Sequence, residues 1–287
     1  MTTETTLPYA KPRSLSDAVA LIGGDDVCLL AGGTDLVIMR AEGMIAAERI
    51  VDLKGIAGLD SVEMAEDSIA IGACTRLDPL AQRAPFPANA IRDGAALVGS
   101  WQTRARATIG GNICRASPAA DTLCGLLALD CQLELASASG TRRVPAAEFF
   151  TGPGRTVMRR DELLARIIMP RRPGGSAYQR FTYRNAMDLS VAGVAVHLAM
   201  RDGRCTEARV AIGACGPKPI LVPDAAAALV GSPVDATAVQ AAAQAVIAAA
   251  TPIDDVRGTR KHRLHVLRPL TYRVTELARA RAMEQQP

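Results

Sequence analysis

Two glycine pairs, set far apart in the sequence, constrain the fold of this chain more than any other feature. Gly32 and Gly33 follow the buried-strand pattern of residues 27–31 and precede an apolar helix start at 36–39. Successive backbone N–H groups in such a turn can bind an anion, and a helix N-terminus adds partial positive charge. The first pair therefore predicts an anion-binding turn between a strand and a helix.

The second pair, Gly110 and Gly111, stands in the stretch Thr-Ile-Gly-Gly-Asn-Ile-Cys-Arg-Ala-Ser-Pro-Ala-Ala-Asp that ends at Asp121. Its β-branched start predicts a short strand, and the glycines predict a turn that takes positive φ and approaches a ligand closely. Asn112 and Ser117 add short polar side chains, and the Asp121 carboxylate could accept hydrogen bonds from ribose hydroxyls. The alternative is an ordinary strand and turn before a helix that Asp121 caps.

Neither pair matches a standard nucleotide motif. The spacing of G-x-G-x-x-G is absent around Gly32, and G-x-x-x-x-G-K-[ST] occurs nowhere in the chain. Two phosphate-binding loops far apart in sequence are typical of a long ligand whose diphosphate lies between them. The sequence therefore predicts a dinucleotide that is not bound in Rossmann fashion.

Together the two segments resemble a known family. Ala-Gly-Gly-Thr-Asp-Leu at 31–36, and Thr-Ile-Gly-Gly-Asn at 108–112 with Ser-Pro-Ala-Ala-Asp at 117–121, are similar to the two FAD loops of the flavoprotein medium subunit of molybdenum hydroxylases. This group includes the xanthine dehydrogenase and carbon monoxide dehydrogenase-like complexes, and the resemblance covers nearly the whole chain. It implies an α+β fold. A two-lobed FAD-binding domain of the PCMH type would occupy residues 1–175, with lobes at about 1–57 and 58–175, and a smaller α+β C-terminal domain would occupy 176–287.

The resemblance also implies which residues bind FAD. Arg180 matches a position where the family has Lys or Arg near the flavin, and Leu189 matches one that lies against the flavin, where some members have Tyr. Val98 and Ala165 match positions that pack against the adenine end. The full predicted FAD site consists of Leu30, Ala31, Gly32, Gly33, Thr34, Asp35, Leu36, Val98, Thr108, Ile109, Gly110, Gly111, Asn112, Ser117, Asp121, Ala165, Arg180 and Leu189.

The implied function is that of an oxidoreductase subunit with no catalytic residue or metal ligand of its own. A large subunit would carry molybdopterin and hydroxylate the substrate, and a small subunit would carry [2Fe–2S] clusters. This chain would pass electrons through FAD to an external acceptor such as NAD, a quinone or oxygen. One alternative is a self-sufficient FAD-dependent oxidase or reductase of the vanillyl-alcohol oxidase class, but the chain lacks a recognisable catalytic base and a long substrate domain. Another is an assembly scaffold without flavin, against which the intact glycines and Asp121 argue.

Composition excludes several other classes of protein. The formal net charge of +4 is small and spread out, so no nucleic-acid partner is expected. Residues 1–6 carry no signal-peptide pattern, and no apolar run reaches the roughly 18 residues of a membrane span, so we expect a cytoplasmic protein. The seven cysteines are widely spaced and include no Cys-x-x-Cys, which favours free thiols over an iron–sulfur cluster.

The three histidines are not predicted to bind metal. His262 and His265 share a helix face among arginines and lysines, which indicates a solvated basic surface. His197 stands in an apolar segment and is predicted to be a core histidine. Periodicity and turn residues predict helices near 91–98, 123–128 and 237–250 and strands near 50–53, 68–74 and 162–169, and they leave the segments 177–184, 189–200 and 205–213 open between strand and helix.

Overall fold

The structure is a computed structural model that describes residues 8–23, 26–82 and 87–285. Residues 1–6, on which the prediction about a signal peptide rests, lie outside the described part. The described residues mix strands and helices, which confirms the predicted α+β class. The strands are β1 (Tyr9–Ala10), β2 (Val27–Leu30), β3 (Arg49–Asp52), β4 (Val62–Met64), β5 (Ser68–Gly72), β6 (Gln132–Ser137), β7 (Gly140–Pro145), β8 (Phe150–Gly152), β9 (Arg155–Thr156), β10 (Leu163–Pro170), β11 (Gly175–Phe181), β12 (Ala192–Arg201), β13 (Arg204–Gly213) and β14 (Ile220–Leu221). The helices are α1 (Leu15–Leu21), α2 (Leu36–Ala41), α3 (Leu77–Gln82), α4 (Ala90–Leu97), α5 (Trp101–Arg104), α6 (Ile109–Arg115), α7 (Leu123–Ala128), α8 (Ala146–Phe149), α9 (Pro223–Leu229), α10 (Ala236–Ala249) and α11 (Arg260–Glu284).

A small parallel sheet, in the order β1-β3-β2, opens the chain. Ser14 begins α1 because its hydroxyl accepts the Asp17 N–H at 3.1 Å, as an N-cap residue does. The buried Asp52 at the end of β3 ties this lobe together, since it accepts a hydrogen bond from the Tyr9 hydroxyl and pairs with Lys54. The first glycine pair follows β2 directly and leads into α2.

The second sheet is antiparallel, in the order β4-β5-β10-β6-β7, and carries the main core on one face. Helices α3, α4, α6 and α7 bury aliphatic side chains against it, among them Ile113, Leu123 and Leu126, which have no exposed surface. With few aromatic residues in the chain, these aliphatic side chains supply most of the apolar area that stabilises the fold. The site therefore rests on a rigid support.

The third sheet, β11-β12-β13-β14, is antiparallel and is covered on both faces. Val194, Val196 and Leu198 of β12 pack toward α9, α10 and α11, whereas Ala195 joins the main core beside α7. A strand buried on both sides reads as a continuous apolar run without alternation. This explains why the sequence pattern could not separate strand from helix at 189–200; all three open segments contain strands.

The prediction for the second glycine pair was wrong in its local structure. Thr108 does not lie in a strand. It caps α6, because its hydroxyl accepts the Gly111 N–H at 3.1 Å, and both glycines lie in the first turn of that helix. Asp121 caps no helix either, since α7 follows Thr122 without a side-chain cap. The β-branched Thr108 suited a strand as well as an N-cap, so residue type alone did not decide between them.

Candidate functional site

The two glycine loops meet in space. A Cβ atom added to Gly32 would lie 2.4 Å from the Arg106 carbonyl oxygen and 2.8 Å from the Ala107 Cα, so a side chain cannot be placed there without moving the backbone. Gly33 has a φ of +79°, which favours glycine. The first loop therefore packs directly against the segment that leads into the second.

A cleft of about 370 Å³ lies between the loops. Arg115 lines its wall on the side of α6, and Met39 and Ile45 add apolar surface on the side of α2. The predicted FAD-site residues that line this cleft are Ala31, Gly32, Gly33, Thr34, Asp35, Leu36, Val98, Thr108, Gly111 and Asn112. The structure thus brings together most residues of the two motifs around one cleft.

The first turn of α6 uses its backbone amides to hold the helix in place. Ile109 N–H donates to the Thr75 carbonyl at 2.9 Å, and Gly110 N–H donates to the Ala73 carbonyl at 2.8 Å. With Gly111 N–H bonded to Thr108, these amides already have protein acceptors. The polar groups that α6 directs toward the cleft are therefore side chains. The Asn112 Oδ1 accepts a 2.6 Å hydrogen bond from Thr122, which orients the amide and leaves its Nδ2 available to a ligand.

The two glycines of α6 have different roles. Gly110 is buried, and a Cβ there would lie 2.5 Å from the Ala73 carbonyl oxygen and 2.6 Å from the Ala73 Cβ. Gly111 is exposed on the cleft wall, and an added Cβ would approach only the Thr108 hydroxyl, at 3.0 Å. The expected positive φ is absent at both positions, because both lie in the helix. Gly110 permits close packing, and Gly111 keeps the cleft open.

The cleft carries one exposed ion pair and lies next to a loop that a buried ion pair holds from behind. Arg115 pairs with Asp35 at 3.7 Å across the cleft, and both side chains remain well exposed. Behind the first loop, Lys54 Nζ donates to the Ala31 carbonyl at 3.1 Å and pairs with Asp52 at 2.7 Å. Burial alone would raise the pKa of Asp52, but hydrogen bonds from Lys54 and Tyr9 outweigh burial and hold that pKa below its ordinary value. Lys54 thus links the loop at Ala31 to the Asp52 carboxylate.

Asp121 lies behind the cleft rather than in it. Its carboxylate is 4% exposed, accepts the Tyr178 hydroxyl at 2.9 Å and pairs with Arg180 at 2.5 Å. Burial raises the pKa of Asp121 to about 6, against the opposing effects of the Arg180 charge and the two hydrogen bonds. In this arrangement the carboxylate joins α7 to the third sheet and does not face a ribose. The positive charge of Arg180 is correspondingly compensated.

A second cavity, of about 420 Å³, is lined by the β8–β9 turn and by the segments that precede β12 and follow β13 of the third sheet. Ser117 and Pro153 line it, while their near neighbours in sequence, Arg115 and Gly154, line the cleft, so the two spaces lie next to each other although they share no lining residue. Arg263 Nε is buried here and has no hydrogen-bond partner among the described residues, whereas the buried Ser190 Oγ lies within hydrogen-bonding reach of Tyr178. Buried polar atoms without partners are uncommon and indicate that a ligand or water belongs beside them. We call this space the junction cavity.

The remaining predicted residues lie outside both spaces. Leu30 packs under Gly33, Ile109 and Gly110 are buried behind the cleft wall, and Leu189 is 48% exposed next to Ser190. Ala165 is buried in β10, and its carbonyl accepts the Ala73 N–H at 3.0 Å. The Ala73 carbonyl in turn accepts the Gly110 N–H, so Ala165 supports α6 indirectly through Ala73. Ala165 itself does not line the cleft.

Several lining residues were missed by the sequence analysis. Arg115, Cys114 and Thr103 all line the cleft, as does Gly154 from the β8–β9 turn. Arg115 lies one helical turn after Gly111 and would have been found if residues 109–115 had been assigned to a helix. Thr103 and Gly154 come from segments without any motif, and only the tertiary fold brings them here.

Comparison with known proteins decides what this architecture is. The family described as FAD binding domain in molybdopterin dehydrogenase matches residues 3–172, and that described as CO dehydrogenase flavoprotein C-terminal domain matches residues 176–278. The chain belongs to this family. It is thus an FAD-binding medium subunit of the molybdenum hydroxylase family, an oxidoreductase component, as the resemblance implied.

Individual relatives agree over almost their whole length. The xanthine dehydrogenase FAD-binding subunit of Escherichia coli O157:H7 is 32% identical, with 96% of each chain covered. The carbon monoxide dehydrogenase medium chain of Afipia carboxidovorans is 31% identical, covering 96% of this chain and 97% of that protein. Reconstituted CO dehydrogenase from Oligotropha carboxidovorans superimposes with a TM-score of 0.92 at 30% identity, over 96% of this chain and 98% of that one. The similarity to these relatives therefore extends over nearly the whole sequence and includes the fold.

Within residues 8–23, 26–82 and 87–285, no helix has both the length and the apolar character that crossing a membrane requires. The same residues contain no cluster of three or more His, Cys, Asp or Glu side chains placed to bind a metal ion.

Proposed function

We propose that this chain is the electron-transfer subunit of a molybdenum hydroxylase complex. In this proposal it receives electrons from [2Fe–2S] clusters on a small partner subunit and passes them through FAD to an external acceptor, while a large partner subunit carries molybdopterin and the substrate. The observation that carries the proposal is the cleft lined by residues of both FAD loops, in a chain that belongs to a family of dehydrogenase medium subunits. The self-sufficient oxidase alternative is not favoured, because the relatives matched over the whole chain are subunits.

The residues present fit FAD. The cleft floor at Gly111 is a surface that one Cβ would fill, and the Asn112 amide and the Arg115 guanidinium can donate to phosphate oxygens. We propose that the diphosphate lies here, between Gly32 and Gly111. Thr34 lies just before α2. Its backbone N–H is not bonded to a carbonyl of the preceding turn, so it can donate to the ligand.

We propose that the ring end of the cofactor lies in the junction cavity. In this proposal the cofactor extends from the cleft into the junction cavity past Arg115 and Ser117, which line the two neighbouring spaces. Arg263 Nε would donate the hydrogen bond that it lacks here, Ser190 would line the ring, and Leu189 would cover the outer side. FAD supplies the redox chemistry when bound; the chain holds the ring and sets the polarity around it. Arg263 is anchored for this by 2.7 Å and 2.9 Å bonds to the carbonyls of Val191 and Ala214.

The domain division at 1–175 and 176–287, with lobes at about 1–57 and 58–175, remains a proposal. It is supported by the separation of the three larger sheets along the chain. The cytoplasmic location stays a prediction, and so does the identity of the acceptor.

Two variants test the proposed placement of the cofactor by giving opposite signatures. Ser190→Leu should fill the junction cavity and shift the visible absorbance of the bound flavin, with a smaller effect on affinity. Arg115→Met should weaken FAD binding and leave the absorbance spectrum of the bound fraction unchanged. A Ser190→Leu protein whose flavin spectrum matches that of the parent would contradict the ring placement.

The subunit role is tested by expression with and without partners. The isolated chain should bind FAD but turn over no heterocycle or aldehyde, because the proposal assigns the molybdenum centre and the substrate site to another subunit. Affinity purification of the chain from its native cells should bring down a molybdopterin subunit and an iron–sulfur subunit. Substrate turnover by the isolated chain would favour the oxidase alternative.

A further inference from the structure

A third cavity, of about 540 Å³, lies away from the cofactor path. It is bounded by the segment 171–174 between the second and third sheets, and it shares no lining residue with the cleft or the junction cavity. Ile69, Leu129 and Met169 give it apolar walls. The proposed function makes no use of this space.

His197 is the unexplained group in the cavity wall. Its side chain is 2% exposed, and neither Nδ1 nor Nε2 has a hydrogen-bond partner among the residues that the structure describes. In the sheet register it stands directly opposite Ser176 of β11 on one side and Arg209 of β13 on the other, so these three side chains share a face. A buried imidazole with both nitrogens unpaired is costly unless a ligand or water satisfies it.

The other polar groups in the wall have limited free capacity. Asn89 Oδ1 already accepts the N–H groups of Ile91 and Arg92, and Asn89 Nδ2 donates to the Pro87 carbonyl. Ser176 Oγ accepts the Ala90 N–H at 3.1 Å, which leaves its hydroxyl hydrogen free to donate. Among the buried side chains of this wall the unused capacity is therefore one hydroxyl donor, one amide N–H of Asn89, and one donor and one acceptor on the imidazole.

The charges around His197 cancel. Arg172 pairs with Asp130 at 2.5 Å and with Glu207 at 2.6 Å, and Arg209 pairs with Asp130 at 2.9 Å. Two guanidinium groups thus face two carboxylates. Burial keeps the imidazole neutral, with its pKa lowered to about 4. Beside the buried imidazole the wall therefore offers hydrogen bonds without net charge, while Arg171 and Glu66, one charge of each sign, line only the exposed part of the cavity. An ionic group placed against His197 would lose its hydration there without gaining a counter-ion.

From this juxtaposition we propose that the cavity is a second binding site, which takes a small neutral molecule with an amide or hydroxyl group on an apolar body. The polar group binds His197 and Ser176, and the apolar part packs against Ile69, Leu129 and Met169. The cavity lies at the junction between the second and third sheets, so its occupant contacts both parts of the chain that enclose the cofactor path.

Nuclear magnetic resonance of the imidazole nitrogens tests this directly, because the full chain has only three histidines. Full-length, FAD-loaded protein labelled with ¹⁵N-histidine is titrated with benzamide, a neutral amide on an apolar ring, and separately with benzoate, its anionic counterpart. The proposal expects benzamide to shift the His197 signals, leave those of His262 and His265 in place, and leave the flavin absorbance unchanged. Variants His262→Asn and His265→Asn assign the signals even if a His197 variant fails to fold.

Matched variants identify the contacts. In His197→Phe, which keeps the ring and removes both nitrogens, the benzamide affinity should fall about tenfold or more, the effect of losing a hydrogen bond to a buried partner. Ser176→Ala should give a smaller loss. The proposal is overturned if benzamide causes no His197 shift up to its solubility limit, if benzoate binds as tightly, or if binding displaces the flavin.

Discussion

Replacement of Gly111 by alanine should remove FAD and leave the fold intact. The new Cβ would meet only the Thr108 hydroxyl, at 3.0 Å, and would otherwise project into the cleft. Alanine is favoured over glycine in a helix by about 1 kcal/mol, which offsets that close contact. Without FAD, the free energy of unfolding of the variant should therefore lie within about 1 kcal/mol of that of the parent.

The variant should be less stable than the parent only when FAD is present. A ligand at a hundred times its Kd stabilises a protein by about 2.7 kcal/mol, which for a chain of this size corresponds to a rise in Tm of roughly 5 °C. Thermal unfolding with and without FAD measures this rise, which we expect in the parent protein and not in Gly111→Ala.

Gly110→Ala is the matched control, one residue away in the same helical turn. Its Cβ would lie 2.5 Å from the Ala73 carbonyl oxygen, so the cost is overpacking of about 1–3 kcal/mol in the apo protein. Gly110→Ala should thus lower the apo Tm, and Gly111→Ala should not. A Gly111→Ala protein with full FAD content and the full FAD-dependent rise in Tm would refute the assignment of the cleft.

Three further predictions follow from charges in the structure. Arg115→Met should weaken FAD binding about fivefold, and by less at high salt, as expected for the loss of one exposed cation near a phosphate. The control Arg106→Met removes an exposed charge outside the cleft and should leave FAD affinity unchanged. Equilibrium titration of flavin fluorescence measures both affinities. The pKa of Asp121 is raised to about 6, so its contribution to stability is present below the unfolded pKa near 4 and is lost as pH rises through 6. Relative to Asp121→Asn, the free energy of unfolding of the parent should therefore fall by up to about 3 kcal/mol between about pH 4 and 7, measured by chemical denaturation. The pKa of His197 is lowered to about 4, so its contribution to stability is present above about pH 6.5 and is lost as the pH falls toward 4. In His197→Phe the free energy of unfolding should therefore fall less than that of the parent over this pH range.

The sequence was sufficient to predict the meeting of the two loops, because Gly32 and Gly111 occupy motifs whose glycines admit close approach. It was insufficient for the local structure of the second loop. Thr108 and Ile109 suit a strand by residue type, and the hydrogen bonds from Ile109 and Gly110 to Thr75 and Ala73 that fix them as a helix start are made to a segment more than thirty residues earlier. Tertiary contacts of this kind leave no local pattern.

Asp121 and Arg180 illustrate the same limit at the site itself. Each was predicted to face the cofactor, but they are 59 residues apart in sequence and form a buried ion pair with each other. A buried carboxylate needs a partner, and Arg180 of β11 lies within reach because the third sheet packs on α7. Nothing in the sequence spacing indicated that pairing, and Arg115, which does line the cleft, lay in a helix that had been assigned to a turn.

Stopped-flow absorbance at the flavin band tests the central claim most directly. The FAD-loaded chain is mixed with the reducing substrate of its complex, first alone and then after reconstitution with the purified molybdopterin and iron–sulfur subunits. The electron-transfer account predicts no bleaching of the flavin band for the chain alone and rapid bleaching for the reconstituted complex. Rapid substrate-dependent bleaching of the isolated chain, or none in a complex whose iron–sulfur clusters become reduced, would contradict it.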